Sequence, residues 1–173
     1  MDLFLLPGNH EGNAQWSQDV AAALGDKFNV HIQSYRHWSN GQPLINFDLE
    51  LNRFVESTRD IGEYVMLGKS IGAILAIKGI HEGRIRPQKC VFVGMPIRRA
   101  RHEFDLDQWL GRYRTPTLFI QQTNDIAAPY AELEKFLKET MSGNYRLIEV
   151  PGDDHVYGNI ELLKSHILNF FGI

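Results

Sequence analysis

The sequence of 173 residues contains a single cysteine, Cys90, and no long apolar run. One thiol forms neither an internal disulfide nor a cysteine-based zinc site, and it suits a reducing compartment. No run approaches the ~20 apolar residues that a membrane-spanning helix needs. The amino-terminal stretch has an acidic second residue and only four apolar residues before Pro7, which does not match a secretory signal. We therefore expect a cytoplasmic protein with no membrane span.

Excess positive charge is also absent. Lysine and arginine number 18 against 21 aspartate and glutamate, so the formal net charge is −3 and no global basic surface indicates nucleic-acid binding. Hydrophobic residues make up 43% and charged residues 23% of the chain, which are ordinary values for a globular protein. The length is near the commonest size for one domain. These values predict a single domain over residues 1–173.

Short apolar runs alternate with amphipathic segments along the chain. Six runs have the length and composition of strands, at residues 3–6, 28–35, 64–67, 89–93, 116–121 and 145–150. Strands that alternate with helices predict βαβ units, and hence a three-layer α/β/α sandwich with a mainly parallel sheet. The looser alternation in residues 28–35 predicts a position near the sheet edge.

The stretch Gly68-Lys69-Ser70-Ile71-Gly72 lies where the third apolar run gives way to a helical pattern. It has the G-x-S-x-G spacing of a nucleophile elbow, in which a serine sits on a sharp turn between strand and helix. Small residues two positions either side of the serine let the strand and helix approach each other. The pattern predicts that Ser70 is a nucleophile.

Gly68-Lys69-Ser70 also matches the last three letters of a phosphate-binding loop. The first glycine of that motif falls at Glu63, and Gly62 is one place out of register. The residues between are apolar, where a phosphate loop is polar and flexible. The phosphate loop, and with it a nucleotide-binding protein, is the weaker interpretation.

Polar residues follow four of the six predicted strands. Asn9 and His10 follow the first strand, Ser70 the third, Asp125 the fifth and His155 the sixth. Because the carboxyl ends of parallel strands share one edge of the sheet, we expect all of them at that edge. Asp125 alone is also compatible with a helix cap.

Three segments of the chain resemble the α/β-hydrolase superfamily, and in particular its small members without a lid domain. They are residues 67–73 (LGKSIGA), residues 119–129 (FIQQTNDIAAP) and residues 150–155 (VPGDDH), which span nearly the whole chain in the order serine, acid, histidine. The second resembles the family's acid loop and the third its histidine loop. The resemblance implies a six-stranded sheet in the order 2-1-3-4-5-6, without the two strands that usually begin the family's fold.

The resemblance also implies a role for each residue. Ser70 is the expected nucleophile, His155 its base and Asp125 the acid that orients the imidazole. The backbone N–H groups of Asn9 and Ile71 are expected to form the oxyanion hole. Such a site cleaves an ester, thioester or amide of a small molecule or acyl group and needs no metal or organic cofactor. The alternative from another class is a non-catalytic binding protein of the same fold.

Several further residues are candidates for the substrate pocket: His10, Trp38, Lys69 and Met95. Lys69 is the one residue of the elbow that the expected triad leaves unexplained. Its charge is compatible with an anionic substrate or with a side chain that reaches solvent. Residues 97–114 are charged and irregular, with one predicted helical turn near Trp109. Their basic stretch (Arg98, Arg99 and Arg101) is either a rim that attracts an acidic substrate or a solvated loop paired to nearby carboxylates.

Overall fold

The computed structural model describes residues 1–173. Its six strands are β1 Asp2–Leu6, β2 Asn29–Ile32, β3 Tyr64–Lys69, β4 Cys90–Val93, β5 Thr117–Gln122 and β6 Tyr145–Val150. They form one sheet in the order β2-β1-β3-β4-β5-β6, and every neighbouring pair is parallel. The predicted strand order is confirmed, and the sheet is entirely rather than mainly parallel.

Eight helices connect or follow the strands: α1 Asn13–Leu24, α2 His37–Asn40, α3 Phe47–Thr58, α4 Ile71–His81, α5 Ile97–Glu103, α6 Leu106–Gly111, α7 Tyr130–Thr140 and α8 Ile160–Phe171. None of them combines the length and apolarity that crossing a membrane requires.

Two apolar cores lie on opposite faces of the sheet, which confirms the three-layer sandwich. In β1, Leu3 and Leu5 face a core of 17 residues covered by α1 and α8. Phe4 and Leu6 alternate to the other face, where a core of 28 residues includes side chains of α3, α4, α6 and α7. Strands β3 and β4 are buried along their whole length because helices cover both faces.

Strand β2 lies at one edge of the sheet, as its looser alternation predicts. It is shorter than the predicted run and ends at Ile32. Past that point the chain leaves the sheet, and the Tyr35 hydroxyl, buried in the core, donates to the Pro7 carbonyl oxygen at 2.9 Å. That contact ties the segment after β2 to the loop after β1.

Two segments between the predicted strands contain short helices. Residues 36–43 include α2, and residues 97–114 include α5 and α6 rather than a single turn. The reason is apolar spacing: Ile97 and Ala100 in α5, like Leu106 and Leu110 in α6, lie one helical turn apart and are buried.

Candidate active site

The turn after β3 holds Ser70 in a strained conformation. Its backbone has φ 51° and ψ −120°, a region that residues with a side chain rarely adopt. The turn is tight enough that a Cβ on Gly72 would lie 2.1 Å from the Leu6 carbonyl oxygen, and one on Gly68 would lie 2.8 Å from Ala73 Cα. Only glycine fits at either position, so the spacing of the two glycines reflects close backbone contact with β1 and α4.

A continuous chain of hydrogen bonds links three of the predicted residues. Ser70 Oγ lies 2.9 Å from His155 Nε2. His155 Nδ1 lies 2.8 Å from each carboxylate oxygen of Asp125. With Nδ1–H donating to the carboxylate, Nε2 is left to accept from the serine hydroxyl. The parallel sheet therefore brings together side chains that lie 85 residues apart in sequence.

Asp125 is fully buried, and every partner it has stabilises its ionised form. The Tyr157 hydroxyl donates to Oδ2 at 2.6 Å and the Ala127 N–H donates to Oδ1 at 2.8 Å. Burial by itself would raise the pKa of Asp125, but the hydrogen bonds from His155 and Tyr157 outweigh it and hold that pKa below its usual value. The carboxylate is thus a fixed negative charge beside the imidazole.

The loop that carries His155 is held by Gln122, at the end of β5. Gln122 Oε1 accepts from the His155 N–H at 2.9 Å, and its Nε2 donates to Asp154 Oδ1 at 2.8 Å. Asp154 also accepts from the Val156 N–H, so it shapes the loop as an Asx turn does. Sequence reasoning missed both Gln122 and Tyr157. Their closeness to Asp125 and His155 in sequence was the only available signal.

The first βα loop presents Asn9, whose backbone N–H has no hydrogen-bond partner. The rest of the residue is firmly held. Its carbonyl oxygen accepts from His37 Nε2 and from Trp38 Nε1, both at 2.7 Å. Its side chain donates to the Pro43 carbonyl oxygen and accepts from the Ile45 N–H, both at 3.0 Å. The N–H of Ile71 is also free, because it is the first of α4 and has no intrahelical acceptor.

A cavity of about 490 Å³ opens in front of Ser70 and His155. His10, Lys69 and Asn9 line it as well. Trp38 lines an adjoining cavity of about 210 Å³, which shares Asn9 and His10. A cavity of similar size, about 510 Å³, lies beside β2 and contains none of these groups. The cavity at Ser70 is therefore the candidate active site.

Met95 does not line either cavity at the site, which corrects its prediction as a pocket residue. It is completely buried in the core shared with α4, α5 and α6. Its N–H donates to Gln121 Oε1 at 2.8 Å, which fixes the turn after β4 with the side chain directed inward. Met95 was predicted to line the pocket because it follows a strand's carboxyl end, and that position is shared by core and pocket residues alike.

Lys69 is the last residue of β3, and its side chain does not reach open solvent. On that strand Val65 and Leu67 face the core under α1, and Lys69 follows the same alternation. Its Nζ donates to Asn13 Oδ1 at 2.7 Å and lies 4.9 Å from the centroid of the Trp16 ring. Burial lowers the pKa of Lys69 to about 8, although Asp125 and Asp154 act to raise it.

Asn13 is the first residue of α1, and the residue at the N-cap position before it is Gly12, which has no side chain to cap the helix. The Asn13 side chain donates to the His10 carbonyl oxygen and accepts from Lys69. Gly68 and Lys69 lie within β3 rather than in a loop, so the stretch does not form the cradle of a phosphate loop.

The basic stretch after β4 is paired with carboxylates and lies outside the cavity at Ser70. Arg99 pairs with Glu103 on the same helix, and Arg101 makes a bidentate pair with Asp107. Arg98 pairs with Glu132 of α7, a partner outside the neighbouring residues that the sequence suggested. The geometry matches the solvated interpretation of this stretch. No group of three or more histidine, cysteine, aspartate or glutamate side chains is arranged to hold a metal ion.

No protein-family model matches the sequence, and no curated protein matches it either. Solved structures do resemble it in fold. A YdeN-like protein of Pectobacterium atrosepticum, assigned as a hydrolase, superposes with a TM-score of 0.76 at 17% identity over 98% of this chain and 89% of that one. An esterase of Pyrococcus furiosus gives 0.75 at 16% identity, covering 99% and 81%.

Est1E of Butyrivibrio proteoclasticus, solved with ferulic acid bound, also gives a TM-score of 0.75, at 15% identity over 99% of this chain and 88% of that one. Identities this low establish architecture rather than activity. The strand order, the strained serine turn and these superpositions agree: the chain is a small protein of the α/β-hydrolase fold.

Proposed function

We propose that the protein is a serine hydrolase that cleaves an ester, thioester or amide through an acyl-enzyme on Ser70. The observation that carries the proposal is the hydrogen-bonded chain from Ser70 Oγ through His155 to the buried Asp125. A binding protein has no need of a serine on a strained turn, aligned with an imidazole whose far nitrogen faces a carboxylate.

The first half of the reaction forms the acyl-enzyme. His155 Nε2 takes the hydroxyl proton as Ser70 Oγ attacks the substrate carbonyl carbon, and Asp125 stabilises the imidazolium that results. As the tetrahedral intermediate collapses, His155 gives that proton to the leaving alcohol, thiol or amine. The acyl group remains bonded to Ser70.

The negative charge on the tetrahedral intermediate requires donors that are already in place. We assign this role to the free N–H groups of Asn9 and Ile71. One such donor contributes ~2.7–4 kcal/mol of transition-state stabilisation. The hydrogen bonds from His37 and Trp38 to the Asn9 carbonyl oxygen restrain the loop, and so spare the cost of ordering it during the reaction.

The second half releases the product. A water molecule enters the cavity, gives a proton to His155 and attacks the acyl carbonyl carbon, and the same two N–H groups stabilise the new oxyanion. Collapse returns the proton to Ser70 Oγ and frees the acid. The names of the structural neighbours, an esterase and an assigned hydrolase, agree with this class of reaction.

Labelling by a fluorophosphonate probe tests the proposal directly. The wild type should label stoichiometrically, and Ser70→Ala should not label at all. Ser165→Ala is the matched control, because Ser165 lies exposed on α8, and it should label at the wild-type rate. A folded wild type that stays unlabelled would favour a non-catalytic binding protein, and labelling that persists in Ser70→Ala would mean that another residue is the nucleophile.

A further inference from the structure

The Lys69 ammonium is a buried charge that the proposed catalytic steps do not use. The residue is only 5% exposed, yet its side chain lines the cavity that contains Ser70 and His155. Placing an ammonium group away from water is costly unless partners replace the lost hydration. The groups around Nζ therefore show whether the protein alone supplies the hydrogen-bond acceptors and negative charge that the ammonium needs.

The protein supplies only part of that compensation. An ammonium has three hydrogens, and the one protein acceptor within hydrogen-bond distance is Asn13 Oδ1 at 2.7 Å. The Trp16 ring adds a cation–π contact. Both partners are neutral, and no carboxylate lies within the 4.0 Å that defines an ion pair with Nζ. Lys69 is thus a buried cation that makes no direct ion pair.

Two carboxylates lie near Lys69, and neither forms a hydrogen bond with its Nζ. Asp125 accepts from His155, Tyr157 and Ala127. Asp154 lines the same cavity, and its Oδ1 is held by a Gln122 amide and a backbone N–H, which fix the carboxylate away from Nζ. Because neither carboxylate pairs with Nζ, the ammonium has N–H donors that are free to bind an anion in the cavity.

On these grounds, and resting on the proposed function, we infer that Lys69 selects the substrate and that the scissile ester carries a carboxylate within reach of its ammonium. The pairing gives the buried cation its missing counter-ion, and the charged hydrogen bond fixes the orientation of the ester at Ser70. An uncharged substrate of the same shape would leave the ammonium unpaired and bind less well. The depressed pKa of Lys69, caused first by burial, agrees with a charge that lacks hydration.

The test compares pairs of esters that differ only in this charge. The monomethyl esters of succinic, glutaric and adipic acid are each assayed beside the corresponding ω-amide. O-acetyl glycolate and O-acetyl glycolamide place the charge on the alcohol side instead. We expect the wild type to prefer the carboxylate in at least one pair by tenfold or more in kcat/KM, mainly through KM.

Lys69→Met keeps the length of the side chain and removes its charge, and should bring that preference close to one. Lys69→Gln, which retains a donor for Asn13, covers the case in which the first variant does not fold. Lys135→Met is the matched control, since Lys135 is exposed on α7, and it should leave the preference unchanged. If Lys69 only supports α1, its substitution should lower kcat/KM for both esters of a pair by the same factor and leave the ratio between them unchanged.

Two results separate the failure of this inference from failure of the proposed function. If the esters are hydrolysed in a Ser70-dependent way, but without a preference for the carboxylate that Lys69→Met removes, the inference is wrong and the hydrolase remains. If no ester is hydrolysed in a Ser70-dependent way and the fluorophosphonate does not label the protein, both are wrong.

Discussion

The contact between Gly72 and the end of β1 allows a test of whether the close approach of α4 to β1 positions Ser70. Replacing Gly72 with alanine adds one methyl group on the inner face of α4. That Cβ would lie 2.1 Å from the Leu6 carbonyl oxygen and 2.5 Å from the Pro7 carbonyl oxygen. Both atoms are backbone, so no side-chain rotation relieves the overlap.

The size of the effect follows from those distances. Since Cβ contacts below 3.0 Å are essentially never observed, α4 and the end of β1 must separate by about 0.9 Å. Overpacking of this kind costs about 1–3 kcal/mol of folding free energy. The separation also moves Ser70 away from the loop that carries Asn9, and a misplacement of ~1 Å costs about 100-fold in rate. We expect losses of both stability and reactivity.

Gly62→Ala is the matched control, because Gly62 has no atom within 4 Å of the added Cβ and no positive φ. It should change stability by less than ~1 kcal/mol, in the stabilising direction. Denaturant unfolding measures the free energies, and the second-order rate of fluorophosphonate labelling reports the site. If Gly72→Ala unfolds and labels like the wild type, the close approach of α4 to β1 is refuted.

Two further predictions concern residues that hold the site. Tyr157→Phe removes both the donor to Asp125 and the acceptor of the buried Gln122 N–H, and should cost at least about 2 kcal/mol in denaturant unfolding at neutral pH, whereas Tyr145→Phe, which loses no hydrogen bond, should cost less than ~0.5 kcal/mol. Because the Tyr157 hydrogen bond helps to lower the Asp125 pKa, the part of the cost that comes from that bond is complete above the unfolded value of 3.8 and should disappear as pH falls through the folded one. The part that comes from the Gln122 N–H should remain, and a deficit that does not shrink in acid would contradict this reasoning. Trp38→Phe deletes the 2.7 Å bond to Asn9 and should slow fluorophosphonate labelling several-fold with little change in Tm. Trp109→Phe, which loses no hydrogen bond, should label at the wild-type rate. Equal labelling rates for the two variants would show that Trp38 does not position Asn9.

The sheet was predictable from the sequence because its signals are local. Each buried strand is a short apolar run, and the elements alternate in a way that only a parallel sheet accommodates. The relation of Asn9, Ser70, Asp125 and His155 then follows from topology, since parallel strands deliver their carboxyl ends to one edge. The order of the strands came from the resemblance to the α/β-hydrolases, not from the runs themselves.

Whether an individual side chain near that edge packs into the core or lines the cavity was not predictable in the same way. Met95 and Lys69 both follow buried strand residues, yet one turns into the core and the other lines the cavity. The difference depends on which face each strand residue takes and on what the covering helix presents there. Asn13 meets Lys69 only because α1 crosses that face of β3, and this placement is a property of helix packing rather than of local sequence.

Backbone strain was predictable only at Ser70, where the flanking glycines mark a sharp turn, and nothing in the sequence marks it at His155 or Tyr157. Ser70, His155 and Tyr157 all have positive φ, and of the non-glycine residues in the chain only one other, Asn144, shares that property. A backbone in this state persists only where neighbouring contacts fix it. Ser70 N–H donates to the Val93 carbonyl oxygen at 2.8 Å, His155 N–H donates to Gln122, and the Tyr157 hydroxyl bonds Asp125. Glycine at any of these positions would relieve the strain but remove a side chain of the hydrogen-bonded chain, so the strain and the proposed chemistry are inseparable in this sequence.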